Sequence, residues 1–298
     1  MSGPALSVVI PSVNGPDDLL GCLAALERQR ADVALEVIVI DRLGEPLRDA
    51  VRQRFPETRI LETPLATTIP DMRAIAFKAA TAPAVAVIED HVIVPPGWAA
   101  QLLAAQRSFG GVVGGPIENA ATERLVDWAA FLCEYSHCIP PLPAGPAEWL
   151  PGNNVVYPRA LLEQHQAVLG GGRWENHLHD ALRQDGVTLT CRPELTVGHK
   201  KHYTVREYVT QRYLYARSYA GARVAGASSA KRLAYGAAAF ALPALLFSRT
   251  VSRVLKKGRH RAELVRSLPL LAVFVVSWAA GEVVGYVAGA GDSLAKVC

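Results

Sequence analysis

Ala84-Val85-Ala86-Val87-Ile88-Glu89-Asp90-His91 runs from five apolar residues straight into three ionisable ones. A short apolar run of this kind predicts a buried strand. Ionisable groups at the end of such a strand are costly unless something pairs with them or uses them. In an α/β sheet the carboxyl ends of the strands are also where ligands bind. Glu89 and His91 stand two residues apart, so they point the same way off an extended chain. Both are metal-ligand types.

The flanking sequence repeats the strand signal. Leu6-Ser7-Val8-Val9-Ile10 is a β-branched run, which Pro11-Ser12-Val13-Asn14-Gly15-Pro16 is expected to stop. Asp17 or Asp18 is expected to cap the next helix, whose Leu19, Leu20, Leu23 and Leu26 have helical spacing. A second strand, Leu35-Glu36-Val37-Ile38-Val39-Ile40, ends at Asp41; helices are expected over 45–55 and 70–80, with a strand at 59–62 between them. Further on, helices are predicted over 98–109, 175–185 and 204–224, and strands over 110–115, 155–157 and 187–190. Residues 116–152, with Pro140-Pro141 and Pro143, read as a long irregular loop or lid. Strands alternating with helices imply an α/β class: a Rossmann-like domain with a mostly parallel central sheet.

Of the 298 residues, 50% are hydrophobic and 19% charged, against ~25% charged in an ordinary soluble domain. The apolar excess lies mostly after residue 232, in segments 233–247 and 268–289. The expected division is therefore a catalytic domain over 1–225 and a membrane-associated helical tail over 226–298. The first apolar segment is short of the ~20 residues a span needs and contains Pro243; the second carries Glu282. Arg249, Arg253, Lys256, Lys257, Arg259, Arg261 and Arg266 crowd the stretch between them. Two full crossings would put this basic loop opposite the N-terminal domain, against the positive-inside rule. Re-entrant or interfacial helices avoid that conflict, and a soluble apolar hairpin is the alternative. The basic stretch suits anionic lipid; aromatic residues do not interleave with it, so no nucleic-acid partner is expected. The five cysteines, Cys22, Cys133, Cys138, Cys191 and Cys298, form no CxxC pair and read as cytosolic thiols. No signal-type leader precedes the first strand, so the expected location is the cytoplasmic face of the cell membrane.

Taken in order, these motifs resemble family 2 glycosyltransferases over roughly residues 5–225. Ser7-Val8-Val9-Ile10-Pro11-Ser12-Val13-Asn14 is similar to the family's opening motif, and Glu36–Asp41 to its second strand, whose last Asp contacts the nucleotide base. Ala84–Trp98, with Pro95-Pro96-Gly97-Trp98, resembles the stretch around its Asp-x-Asp motif, here the variant Glu-Asp-His. The resemblance implies a GT-A fold and a nucleotide-sugar donor. Pro11, Ser12, Asn14, Asp41, Arg73 and Asp90 would then contact the nucleotide. Glu89, His91 and the strand-end His199 would hold a divalent cation, Mn²⁺ or Mg²⁺, and Lys200, Lys201 and His202 would neutralise the diphosphate. An imidazole in place of the second acid favours Mn²⁺ or a later metal over Mg²⁺.

Trp174-Glu175-Asn176-His177-Leu178-His179-Asp180 resembles the family's acidic motif, which supplies the base that deprotonates the acceptor. Glu175 matches best, with Asp180 and His179 as alternatives; Asn153, Asn154 and Trp174 would face the acceptor. From the residues alone, Asp41 also reads as a turn residue, Glu175 as a helix-start acid and Gly152-Asn153-Asn154 as an ordinary turn. Gln211-Arg212-Tyr213 departs from the Gln-x-x-Arg-Trp of processive synthases, which implies single-sugar transfer. The expected partners are a nucleotide-sugar, a lipid-linked or membrane-proximal glycan acceptor and the membrane surface. Two rivals stand beside this. A nucleotidyltransferase would want a Gly- and Lys/Arg-rich loop after the first strand, unlike Pro11-Ser12-Val13-Asn14. A degenerate nucleotide-binding membrane scaffold would tolerate His91.

Overall fold

The structure, a computed structural model, describes residues 3–297. Along the chain lie β1 (Leu6–Ser12), α1 (Pro16–Glu27), β2 (Leu35–Asp41), α2 (Leu47–Arg54), β3 (Arg59–Glu62), α3 (Ile69–Ala79), β4 (Ala84–Val87), β5 (Val92–Ile93), α4 (Trp98–Phe109), β6 (Val112–Gly114), β7 (Ile117–Asn119) and α5 (Leu125–Tyr135). There follow β8 (Gly145–Pro146), β9 (Val155–Pro158), α6 (Arg159–Gln164), α7 (Glu175–Gln184), β10 (Leu189–Cys191), β11 (Val197–His199), α8 (Val205–Arg223), α9 (Ser229–Ala238), α10 (Leu242–Lys257) and α11 (Arg261–Ala288). The chain divides into two compact units. One holds the chain up to Ala120 together with Cys138–Lys200; the other holds Ala121–His137 and the chain from Lys201 on.

The first unit is built on an eight-stranded sheet of order β3-β2-β1-β4-β9-β6-β10-β8. β1 pairs in parallel with both β2 and β4, so its residues are buried on both faces, as their unbroken apolar run requires. The sheet is mostly parallel, as expected, but β9 runs antiparallel to β4 and β6, and β8 antiparallel to β10. A second sheet, β5-β11-β7, is what brings distant residues to one place: β11 runs antiparallel to β5, setting His199 opposite Val92.

Three expectations are corrected. Pro11 does not stop β1, which pairs with β2 as far as Ser12 opposite Asp41. Neither Asp17 nor Asp18 caps α1: Gly15 is the N-cap, Pro16 starts the helix, and the two acids lie in its first turn, where they suit the dipole. Residues 116–152 are not wholly irregular, for they contain β7 and the three-turn helix α5. None of Cys22, Cys133, Cys138 or Cys191 is in a disulfide, and Cys298 lies outside the described residues.

The second unit is helical. α11 packs along α8 and also meets α5, α9 and α10. Gly281 and Gly285, one turn apart, set the backbone of α11 against α8: a side chain at either would meet the carbonyl of Tyr213 or Arg217. Tyr208 and Phe274 fill the seam between α8, α11 and α5, and the Tyr208 hydroxyl donates to the Ala130 carbonyl at 2.9 Å. α8 therefore packs with the helices that follow it, whereas the composition shift put the division after residue 225. The helical stretches Ser229–Lys257 and Arg261–Ala288 are both long and apolar enough to cross a membrane. The first of them includes the segment whose apolar core alone is too short; Pro243 sits in the first turn of α10, where its missing N–H costs nothing.

Candidate active site

Ile88 to His91 turn out of β4 into β5, and the β5–β11 pairing lays His199 beside His91. The two imidazoles meet edge to face, with Nε2 to Nε2 at 2.8 Å. Glu89 Oε2 lies 3.3 Å from His91 Nε2. One ligand atom from each of Glu89, His91 and His199 falls within 4.8 Å of the others. The opposite edge of the His91 ring is fixed by Asp90, whose Oδ1 is 3.0 Å from Nδ1. Asp90 is itself fully buried. It accepts from the amides of Val13 and Asn14, at 2.8 and 2.9 Å, and from Asn14 Nδ2 at 2.6 Å.

A carboxylate on Nδ1 holds the ring's tautomer so that Nε2 faces the centre of the cluster, the usual support for a metal-bound histidine. The residues thus fit a divalent cation, and two imidazoles with one carboxylate suit Mn²⁺ and later metals better than Mg²⁺. In the metal-free protein the two Nε2 atoms need a proton between them. Burial pushes the His91 pKa down, but the Asp90 and Glu89 carboxylates outweigh it and hold the ring protonated to about 9. Burial likewise opposes ionisation of Glu89, yet the hydrogen bond and charge of His91, with Arg73 and His199 beyond, keep that carboxyl well below its usual range.

The second half of the site hangs on Arg73, a buried residue of α3. Its Nη1 donates to Glu175 Oε2 at 2.6 Å, and its Nη2 lies 3.6 Å from Glu89 Oε1. Its guanidinium carbon stands 5.8 Å from the centre of the Trp174 ring. Asn153 Nδ2 donates to the other oxygen of Glu89 at 2.8 Å. One polar chain therefore links Glu175, Arg73, Glu89, His91 and His199. Glu175, the first residue of α7, lines a narrow crevice together with Trp174, Arg73, Gly152 and Tyr157.

The other expected site residues have the following partners. Asp41 is buried, and its carboxylate accepts from the amides of Leu43 (3.0 Å) and Gly44 (2.9 Å) and from Arg48 Nε (2.7 Å), so it closes its own turn. Pro11 and Ser12 are buried strand residues, and Asp90 and Asn14 tie the β1 loop to His91. Arg73, expected at a phosphate, faces the carboxylates of Glu89 and Glu175. Asn154 is fully buried: Trp98 Nε1 donates to its oxygen, and its own amide donates to the carbonyls of Pro116 and Leu195. Asp180 lies exposed on α7, with Arg183 as its nearest cation at 3.9 Å. His179 is buried, 2.7 Å from the Tyr157 hydroxyl, and its pKa is pushed down to about 4 by burial. His202 Nδ1 is taken by Asp127 at 2.8 Å. Gly152 is a residue the motifs did not single out for a role: a side chain there would occupy the space of the Glu175 side chain.

A mostly parallel α/β sheet with acids and imidazoles gathered beyond its strand ends places ionisable groups where α/β folds of this kind bind their ligands. Residues 7–138 match the family described as Glycosyl transferase family 2, which bears out the resemblance drawn from the motifs and supports glycosyl transfer. Among solved structures, a mannosyltransferase from Pyrobaculum calidifontis, PcManGT, in complex with GDP-Man and Mn²⁺, is similar with a TM-score of 0.56. That likeness covers 94% of this chain and 87% of the other at 16% identity, and it speaks for the fold. No curated protein matches the chain.

Proposed function

We propose that this chain transfers one sugar from a nucleoside-diphosphate sugar to a lipid-linked or membrane-proximal glycan acceptor, with inversion at the anomeric carbon. The observation that carries the proposal is the convergence of Glu89, His91 and His199, with Asp90 orienting His91. These three residues would hold a divalent cation, which when bound supplies Lewis-acid assistance to departure of the diphosphate. Glu175 removes the acceptor proton as the acceptor oxygen attacks, and Arg73 fixes the position of its carboxylate. Trp174 and Asn153 border this space and would orient the acceptor. Mn²⁺ is favoured over Mg²⁺ by the two imidazoles. GDP-mannose is the first donor to test, since the structurally similar mannosyltransferase is in complex with it.

Membrane docking is supported by the helical stretch Ser229–Lys257, whose most apolar window is only 17% buried. Phe240 is 78% exposed and Leu233 63%. A core helix of a soluble domain would bury these faces.

The deciding experiment is a panel of nucleotide-sugars, GDP-mannose first, scored by released nucleoside diphosphate with Mn²⁺ and with EDTA. Release with Mn²⁺, lost on His91→Ala, is expected. Turnover that EDTA and His91→Ala both leave unchanged would sink the metal-assisted mechanism, and no release from any donor would sink the transferase reading.

A further inference from the structure

Within the helical unit, α8, α9, α10 and α11 border a groove that none of the candidate catalytic residues lines. Leu242, Leu245 and Leu246 supply its apolar lining, and Arg212, Arg223 and Arg249 its charge. The guanidinium of Arg212 lies 4.0 Å over the Trp278 ring. The one carboxylate lining the groove, Glu282, is already satisfied: Trp278 Nε1 donates to it at 2.8 Å, the Tyr286 hydroxyl at 2.7 Å, and Arg223 Nη1 stands at 3.4 Å. Arg212 Nε is buried with no hydrogen-bond partner, and neither Arg212 nor Arg249 pairs with a carboxylate among the described residues.

An apolar groove carrying two guanidinium groups with no carboxylate ion pair among the described residues is a poor fit for an apolar protein segment, because docking one would bury both charges without a direct partner. It suits a molecule with an anionic head and a hydrocarbon tail. Guanidinium forks match phosphate oxygens two at a time, and arginine beside tryptophan and tyrosine is the usual company of a lipid head group. Leu245, in the groove, is exposed, as are Phe240 and Leu233 on the same helical run, which gives the tail an apolar surface to follow out of the groove.

We propose that this groove seats one anionic phospholipid, its phosphate between Arg212 and Arg249 and its acyl chains along Leu242, Leu245 and Leu246. The proposal rests on the membrane-docking reading but not on sugar transfer. The probe is dihexanoyl-phosphatidylglycerol, titrated by calorimetry into the full chain in a neutral detergent. Saturable binding is expected, at least tenfold weaker in the R212Q/R249Q double variant. The R28Q/R107Q variant, which removes the same charge from exposed positions outside both the groove and the basic stretch, should stay within about twofold of wild type. Equal weakening by both pairs, or equal binding of dihexanoyl-phosphatidylcholine or of inorganic phosphate, would overturn it. A second measurement does not depend on the arginine variants folding. Brominated phosphatidylglycerol in phosphatidylcholine vesicles should quench wild-type tryptophan fluorescence more than that of Trp278→Phe, and equal quenching overturns the site. Flotation of wild type with plain phosphatidylcholine–phosphatidylglycerol vesicles separates the two readings: short-chain lipid binding without flotation refutes membrane docking and leaves the groove assigned.

Discussion

Gly152→Ala tests the geometry of the proposed base without touching any ionisable group. A Cβ on Gly152 would come within 2.7 Å of Glu175 Cγ and closer to its carboxyl group, where ordinary contact begins at 3.4 Å. The glycine is not in the left-handed region, so alanine costs the backbone little. What must move is the Glu175 side chain, by about 1 Å, and a misplacement of that size costs on the order of 10²-fold in rate. The movement also pulls the carboxylate off Arg73 Nη1, now at 2.6 Å, a charged hydrogen bond whose loss is worth about 1–3 kcal/mol. The expected variant is folded and binds nucleotide with Mn²⁺ as wild type does, but its turnover falls about a hundredfold, most of the way to Glu175→Gln. Steady-state release of nucleoside diphosphate, beside nucleotide titration and a melting curve, separates these effects. A Gly152→Ala protein that keeps its turnover within a factor of about three would refute Glu175 as a base held in this position.

His91→Ala should weaken Mn²⁺ binding on the order of 10²-fold, and Asp90→Asn by about 10–100-fold, because the orienting carboxylate supports the ligand; titration of free Mn²⁺ by electron paramagnetic resonance measures both. In the metal-free protein His91 titrates near 9 against 6.5 when unfolded, so its contribution of about 3 kcal/mol is complete below pH 6.5 and lost as pH rises through 9. Glu89 and Asp90, held low by His91 against the effect of burial, add stability above their ordinary carboxylate range that is lost in acid. Urea melts in EDTA should therefore be steepest in their loss between pH 7 and 9.5, and a flat profile there would show that His91 is not held as an imidazolium. Leu233→Asp with Phe240→Asp should cut flotation on phosphatidylglycerol vesicles about tenfold or more while leaving donor hydrolysis intact; unchanged flotation would place the membrane contact elsewhere.

The alternation of apolar runs and helical spacing made the parallel half of the sheet legible, since β1, β2 and β4 are continuous apolar segments. The antiparallel direction of β9 was not legible, because Val155-Val156-Tyr157 carries no mark of direction. α5 was hidden by its neighbourhood: prolines on its far side made the whole stretch read as loop, although Leu125–Tyr135 itself contains neither Pro nor Gly. At the site, residue types pointed to Glu89, His91 and His199, and β5–β11 pairing brings them together. Their neighbours were harder. Asp90 and Asp41 sit in motif positions, yet what they touch depends on local turns, and Arg73 reaches Glu175 across 102 residues of sequence. No spacing rule spans that distance.

The paired glycines of α11 have a practical consequence for anyone wanting a soluble catalytic fragment. Because Gly281 and Gly285 admit the backbone of α8 to contact, α8 has no finished surface of its own on that side. A chain ended after residue 225 would keep α8 and discard its partner, exposing Tyr208 and Ala216 as an orphaned seam. Such a fragment should aggregate, and its failure would say nothing about lipids. A cut ahead of α8 would strip Ala129 and Ala130 of α5 in the same way, so a full-length chain with its outward apolar residues made polar is what separates solubility from architecture.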